Sequence, residues 1–533
     1  MYDLALKNGN IIDGTGSCWF CGDLGILNGR IKKIGTIEEE SKRTLDISNY
    51  SVCPGFIDIH SHSDITALVD PRSESKVMQG VTTEVIGNCG LSPAPVRAES
   101  SRYLKSQFFP PEFEWNWPNF SDFITTHENN PASLNIAPLV GHGTLRIAVM
   151  GAENKNPKKA EINKMKALLK DSLDAGAFGL STGLIYAPAC YSEPAEIIEL
   201  ARLLNDSNRL YATHIRGEGA NLVDAVKEAL RIGREAGVRV QISHHKAAGL
   251  DNWGKVTRTL ELMDNARRSG IDVTCDVYPY SASSTDLAIC LPPWVREGGT
   301  RKMLERIRDA GTRFQVRKDM ESDKMQGAWA SPVKSTGWDR IVIAAVNAEE
   351  NTETEGMKLS DIGAYRNTDV FDVLFDILTK ENGRVTCIYH EMCEEDVRTV
   401  MCHPLSMIAS DGISLSPKGI LGKHKPHPRS YGTFPRVIAK YVREEELFSL
   451  EQAIRKMTSS PAQKLGLRDR GMLTEGFWAD LVVFEPSVIK DTATYEEPSQ
   501  FPLGIKYVIV NGVVVVSEGR HTDATPGKVL KCR

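Results

Sequence analysis

The chain has 533 residues, with 64 Lys and Arg against 69 Asp and Glu and a formal charge of −5. Apolar residues make up 41% and charged residues 25%, a globular balance that excludes disorder, collagen and coiled coil as the main state. The small net charge does not suit a nucleic-acid binder or a polybasic membrane surface, and the length allows a large barrel plus an accessory domain.

The N-terminal stretch MYDLALKNGNIIDG has no basic segment followed by an apolar run, so no secretory signal is expected. No apolar run approaches the roughly 20 residues of a membrane helix. The eleven cysteines are an odd, sparse set, which predicts reduced thiols and a cytoplasmic location. Cys18 and Cys21 form a CWFC pair; without a second such pair it reads as plain loop.

Along the chain, the first 53 residues read as short strands broken by turns, with Asn-Gly signals in DLALKNGNII and DLGILNGRIKKIG. The C-terminal ADLVVFEP and IKYVIVNGVVVVSEG read the same way. Both ends together predict one small β-sandwich domain, residues 1–54 and 470–533. The middle, 55–469, alternates apolar runs with amphipathic helices such as AEINKMKALLKDSLDAG and LVDAVKEALRIGREAG. Strands are expected at 55–62, 81–90, 134–143, 177–183, 210–217, 238–246, 271–280 and 405–412. Eight strands alternating with helices predict an α/β fold, a (β/α)₈ TIM-like barrel with both faces of its parallel sheet covered. The stretch from Tyr280 to Leu405 is too long for one helix. It contains two further strand-like runs, 340–348 and 384–392, and an insertion over the barrel mouth is expected at 285–345.

Metal-competent residues stand at the C-terminal ends of these strands, the active-site end of such a barrel. His60 and His62 end the first strand as His-x-His, on one side of an extended backbone. Cys89 ends the second strand, His214 the fifth, His244 the sixth and Asp411 the eighth. One such residue alone reads as packing; six at the same end of different strands read as a metal site. The mixture of imidazole, thiolate and carboxylate favours zinc over oxygen-seeking magnesium or calcium. Asp411 is the natural proton shuttle for a zinc-activated water. His142, His390 and His403 are weaker site candidates, and His245, next to His244, should point the other way.

PGFIDIHSHSD, GNCG, THIRGE, SHHK, ASDG and HPRSYGTFPR occur in this order. The sequence thereby resembles the amidohydrolase superfamily and, within it, the N-acyl-D-amino-acid deacylase (D-aminoacylase) branch, over nearly the whole chain. The resemblance implies a metal-dependent hydrolase that cleaves the amide of an N-acyl-D-amino acid, a small-molecule substrate. It implies one tight zinc at Cys89, His214 and His244, and a second, weaker position lined by His60, His62 and Asp411 that Cys89 could bridge. Asp411 becomes the general acid/base. Lys246, Tyr278 and Arg429 would contact the substrate carboxylate, and Tyr186 would polarise the scissile carbonyl. Arg429 also has physical appeal of its own, because a guanidinium fork matches a carboxylate.

The fourth strand, AFGLSTGLIY, has no Lys. That departs from hydantoinase-like members, whose carboxylated Lys bridges two metals. Another amide or cyclic-amide hydrolase on the same scaffold stays open, as does a non-catalytic scaffold, although none of the six metal-competent residues is missing. Neither nucleic acid nor membrane is an expected partner, and assembly into a homo-oligomer stays open.

Overall fold

The computed structural model describes residues 1–97, 100–110, 113–115, 117–205 and 209–532. The two chain ends meet in one nine-stranded sheet. Its seam is the antiparallel pairing of Leu481–Phe484 with Ser51–Pro54, where Val483 faces Val52 and Val482 faces Cys53. Side chains alternate across a strand, and here the alternation divides two cores. Leu481 and Val483 pack with Leu6, Ile26 and Val52, whereas Val482 and Phe484 pack with Phe56 and Val81 of the central region. At this seam both faces of the sheet are covered.

The Asn-Gly pairs do two different jobs. Asn28-Gly29 and Asn511-Gly512 have positive φ at both residues (54° and 75°, 50° and 82°), as a tight hairpin turn requires. Asn8-Gly9 lies instead within the strand Leu4–Ile11, at a register shift. A side chain at Gly9 would collide with Ile47, so packing makes this pair a bulge and not a turn.

The central region follows the strand–helix alternation. Gly179–Gly183, Leu210–His214, Arg239–Ile242, Val273–Val277 and Ser406–Ile408 pair in that order, all parallel. Phe56–Asp58, Val81–Ile86 and Asn135–Pro138 form a second parallel set. The two sets touch on both sides. On one, Leu139 N donates to Ile86 O and Phe178 N to Pro138 O (2.9 and 2.8 Å), and Val140–Gly141 pairs with Gly179–Gly183. On the other, Ser61 bridges Gly412 in parallel, and Asp411 N donates to His60 O (2.8 Å).

Helix Leu222–Ala236 shows how the helices cover the sheet. It buries Leu222, Val226, Ala229 and Gly233 at helical spacing and ends on Gly237 in the left-handed conformation. The strands are shorter than the sequence suggests, because their C-terminal ends peel into the loops that carry the polar residues.

Three strands stand apart. Ser283–Asp286, Thr386–Tyr389 and Ile341–Ala345 form a separate antiparallel sheet. With helices such as Thr300–Arg308 and Val370–Lys380 they enclose their own core, which includes Leu291, Ile307, Ile341, Phe375 and Tyr389. After the last strand of the terminal sheet, Arg520–His521, the tail runs beside the central region: Ile136 N donates to Lys528 O and Leu530 N to Ile136 O (2.9 and 2.7 Å). No helix among the described residues is long and apolar enough to cross a membrane.

Candidate metal centre

Three residues at the strand ends share a backbone conformation that side chains seldom adopt. Cys89, His244 and Asp411 have φ of 50°, 35° and 49°. Such strain persists only where surrounding structure enforces it, and it gathers at functional sites. Here it turns three side chains toward one point. The donor atoms of His60, Cys89, His244 and Asp411 all lie within 4.8 Å of one another, and all four residues are buried. Cys89 Sγ lies 3.3 Å from His60 Nε2, 3.5 Å from His244 Nε2 and 3.7 Å from His214 Nδ1. Asp411 Oδ1 lies 3.0 Å from His62 Nε2 and 3.3 Å from His60 Nε2. All six sequence-expected residues are thus brought together, with His62 the most exposed.

The imidazoles are held from behind. His60 Nδ1 faces Asp276 Oδ1 at 3.2 Å, and His244 Nδ1 faces Glu218 Oε1 at 2.9 Å. A carboxylate on one ring nitrogen fixes the tautomer and leaves the other nitrogen's lone pair for a metal. Both Nε2 atoms point into the cluster. His214 Nε2 is buried with no hydrogen-bond partner among the described residues, Glu218 Oε2 standing 3.7 Å away, while its Nδ1 faces the thiol.

Charge has the same sense. Burial works against ionising Cys89, but His60, His244 and His214 draw its thiol well below the usual range. Burial likewise opposes ionising Asp411, and Arg429 with His60, His244 and His62 holds its carboxyl well below the carboxylate range. Cys89, Glu218, Asp276 and Asp411 face Lys246, Arg429 and imidazoles, of which His60 and His62 are drawn by the same acids, against the cost of burial, toward their charged forms, His62 to about 9. A divalent cation would take the place of the protons on those rings, and the thiolate–imidazole–carboxylate donor set fits zinc.

The residues expected at the substrate gather beside this cluster. Lys246 Nζ and the Arg429 guanidinium lie 5.6 and 5.0 Å from the Tyr278 ring centre. Lys246 donates to Glu218 Oε1 (2.6 Å), and Arg429 donates to Asp411 Oδ2 (2.7 Å) and Ser284 O (3.2 Å). Burial pushes the Tyr278 phenol up, keeping it neutral. The Tyr186 ring packs edge-on against His214 at 5.1 Å, and its hydroxyl meets Thr285 Oγ1 at 3.0 Å. Tyr186, Lys246, Tyr278 and Arg429 line a cleft of about 1230 Å³ with Cys89, His214, His244 and Asp411. Leu304 and Arg384, from the separately cored unit, line the same cleft.

The weaker candidates lie elsewhere. His142 is engaged by Glu196 (2.8 Å), His245 by Thr259 (2.8 Å) and His403 by Asp264 (3.3 Å), while His390 packs on the Tyr495 ring. Cys18 and Cys21 are exposed, free thiols. Sequence reasoning passed over Glu218 and Asp276. Glu218 sits inside a quoted motif: it ends THIRGE, four residues after His214, and a carboxylate in the same motif as a metal-competent His was the available signal. Asp276 carried no such local signal, because its partner His60 lies far away in the chain.

The model of the amidohydrolase family matches residues 43–516, and the chain belongs to that family. It is 36% identical over 530 residues to the D-aminoacylase of Alcaligenes xylosoxydans xylosoxydans, covering 99% of this chain and 97% of that one. It is 35% identical to the N-acyl-D-glutamate deacylase of the same organism, covering 99% and 96%. The N-acyl-D-glutamate deacylase of Bordetella bronchiseptica was solved with zinc and a phosphonate mimic of the tetrahedral intermediate. It superimposes with a TM-score of 0.82 at 34% identity, over 99% of each chain. The fold is accordingly the α/β, TIM-barrel-type fold of these amidohydrolases.

Proposed function

We propose that this chain is a zinc-dependent deacylase that hydrolyses the amide of N-acyl-D-amino acids to a carboxylate and a free D-amino acid. The observation that carries the reading is the convergence of Cys89 Sγ, His60 Nε2, His244 Nε2 and Asp411 within 4.8 Å. Cys89, His214 and His244 would hold the tight zinc, and His60, His62 and Asp411 a second, weaker position. Zinc in this site supplies a Lewis acid and brings the pKa of a water to about 7.

The protein's own groups do the rest. Lys246, Tyr278 and Arg429 hold the substrate carboxylate, which sets the scissile amide against Asp411. Asp411 accepts a proton from the attacking water and returns it to the nitrogen as the C–N bond breaks. The neutral Tyr186 phenol donates to the carbonyl oxygen as charge gathers there.

The same reading gives the chain its parts. Residues 55–469 form a closed barrel, supported by the Ser61–Gly412 bridge, and residues 1–54 and 470–533 form a β-sandwich by the curling of their one nine-stranded sheet around the core of Leu6, Ile26, Val52 and Val483. The separately cored unit roofs the mouth; it runs from Ser283 to Tyr389, wider than 285–345. Eleven free cysteines suit work in the cytoplasm.

Paired N-acetyl-D- and N-acetyl-L-amino acids test the reading by release of free amine. The D series should be hydrolysed and the L series spared. Equal rates on both, or no hydrolysis of either, would overturn it.

A further inference from the structure

A buried histidine that the proposed chemistry does not use stands directly behind the Arg429 fork. His427 is 3% exposed and lines the cleft two residues before Arg429. The helix Arg429–Arg436 starts behind Pro428, which has no N–H to give. Arg429 N is therefore the first donor of that helix, and the first N–H groups of a helix have no partner within it. Here the partner is His427 Nδ1, at 3.0 Å. An imidazole that accepts at one nitrogen carries its proton on the other, and Nε2 donates to Ala282 O at 3.0 Å.

Ala282 immediately precedes the strand Ser283–Asp286. Arg429 Nη2 donates to Ser284 O on that strand at 3.2 Å. The arginine is thus tied twice to one short segment, its backbone through His427 and its fork directly. Tyr280 and Tyr495 pack edge-on against the imidazole, with ring centres 5.1 and 5.2 Å away, and fix its plane. Burial and the Arg429 charge hold the His427 pKa well below the usual imidazole range, which keeps the ring able to accept.

We infer that His427 is a positioning residue: by taking the Arg429 N–H at Nδ1 and donating Nε2–H to Ala282 O, it sets the guanidinium where the substrate carboxylate meets it beside Tyr278. This rests on the deacylase reading, in which Arg429, Lys246 and Tyr278 hold that carboxylate. A displacement of about 1 Å is enough to spoil such a contact.

The test compares N-acetyl-D-leucine with N-acetyl-D-leucinamide, which lacks the negative charge, by acetate release from the zinc-loaded protein. Wild type should favour the acid in kcat/KM by about tenfold or more, the scale of a charge-assisted hydrogen bond. H427N keeps an acceptor for the N–H two residues on and should keep most of that preference. H427Q reaches Ala282 O but leaves the Arg429 N–H without its acceptor. There the KM of the acid should rise more than kcat falls, and the preference should drop toward one. A preference unchanged in H427Q overturns the assignment, since a histidine that only steadies the fold would change the unfolding midpoint and not this ratio. Nitrogen-15 NMR of the histidine-labelled wild type reads the tautomer without any variant. His427 should stay neutral with its proton on Nε2 from about pH 6 to pH 8. A proton on Nδ1 in that range overturns the assignment even where H427Q does not fold. Equal hydrolysis of acid and amide by wild type overturns the carboxylate fork and the role of His427 with it, while the deacylase reading stands. Hydrolysis of neither overturns that reading as well.

Discussion

Two clusters of ionisable groups lie one above the other in this protein, and they are built on opposite rules. Below the mouth, Lys76 Nζ reaches Asp58 Oδ2 (2.9 Å), Glu84 Oε1 (3.0 Å) and Ser410 Oγ (2.7 Å), with all three charged side chains fully buried. Ser410 N and His60 N both donate to Asp58 Oδ1 (2.9 and 3.4 Å). Each donor there faces an acceptor. At the mouth, two imidazole nitrogens, a thiol drawn toward its anion and a carboxylate face one another. With the imidazoles neutral, as metal binding requires, these are acceptors turned toward acceptors. The lower cluster pairs its cation within the protein, leaving only Glu84 Oε2 of its carboxylate oxygens without a partner among the described residues, and fixes the backbone of His60 and Ser410. The upper one is complete only with a cation. Burial alone therefore does not mark a functional site; the orientation of lone pairs does.

The comparison can be broken by changing one group in each cluster. Asp411→Asn should keep zinc and lose about 10²- to 10⁴-fold in kcat, the range for removing a general acid/base. Near-normal turnover, with metal content measured alongside, would remove Asp411 from the chemistry. Chelation should abolish activity and added zinc should restore it, while Cys89→Ala should not retain zinc. Lys76→Met attacks the lower cluster, leaving Asp58 and Glu84 buried without their cation. Breaking one side of a buried pair costs about 3–5 kcal/mol, so denaturant unfolding should show a loss of that size. A loss below about 1 kcal/mol, the range of an exposed pair, would mean that the lower cluster is not what holds the strand ends.

Glu218→Gln lies between the two cases. The carboxylate backs His244 and also takes Lys246. Removing such a support lowers metal affinity by about 10- to 100-fold, read by competition with a chelator. Unchanged zinc affinity would show that the Glu218 carboxylate is not what orients the ring.

How much of this could be read from sequence depended on whether a residue's role was local. The eight parallel strands were legible because an apolar run between amphipathic helices has one good solution. His60, Cys89, His214, His244 and Asp411 were legible because each stands where its own strand ends. Asp276 was not, because its partner, His60, is 216 residues away, and only folding brings a carboxylate behind that ring. Lys76 was hidden for the same reason, since Asp58, Glu84 and Ser410 come from three different strand segments. The separately cored unit was half legible: its strands at 340–348 and 384–392 were visible as apolar runs, but nothing local says that they pair with each other and with Ser283–Asp286. Asn8-Gly9 misled because a turn signal is local while the Ile47 side chain that forces a bulge is not.

A third buried group sharpens the contrast, with the smallest expected effect. His127, on the helix Phe120–Asn129, is 3% exposed and packs edge-on against Phe123 at 4.8 Å. Neither ring nitrogen makes a well-formed hydrogen bond among the described residues; the polar group beside the ring is the backbone of Asp64. It has neither the paired charge of the lower cluster nor the carboxylate support of the upper one. Burial pushes its pKa down to about 4, against about 6.5 in the unfolded chain. Between these values the unfolded state binds the extra proton, so stability rises with pH. The neutral form's advantage is whole above pH 6.5 and is lost as pH falls toward 4. From pH 7.5 to 5.5 the loss from this residue should be about 1 kcal/mol. His127→Phe, which cannot titrate, should flatten that part of the stability–pH curve while leaving zinc content unchanged. An identical slope in the variant would show that the imidazole finds a proton acceptor in the fold.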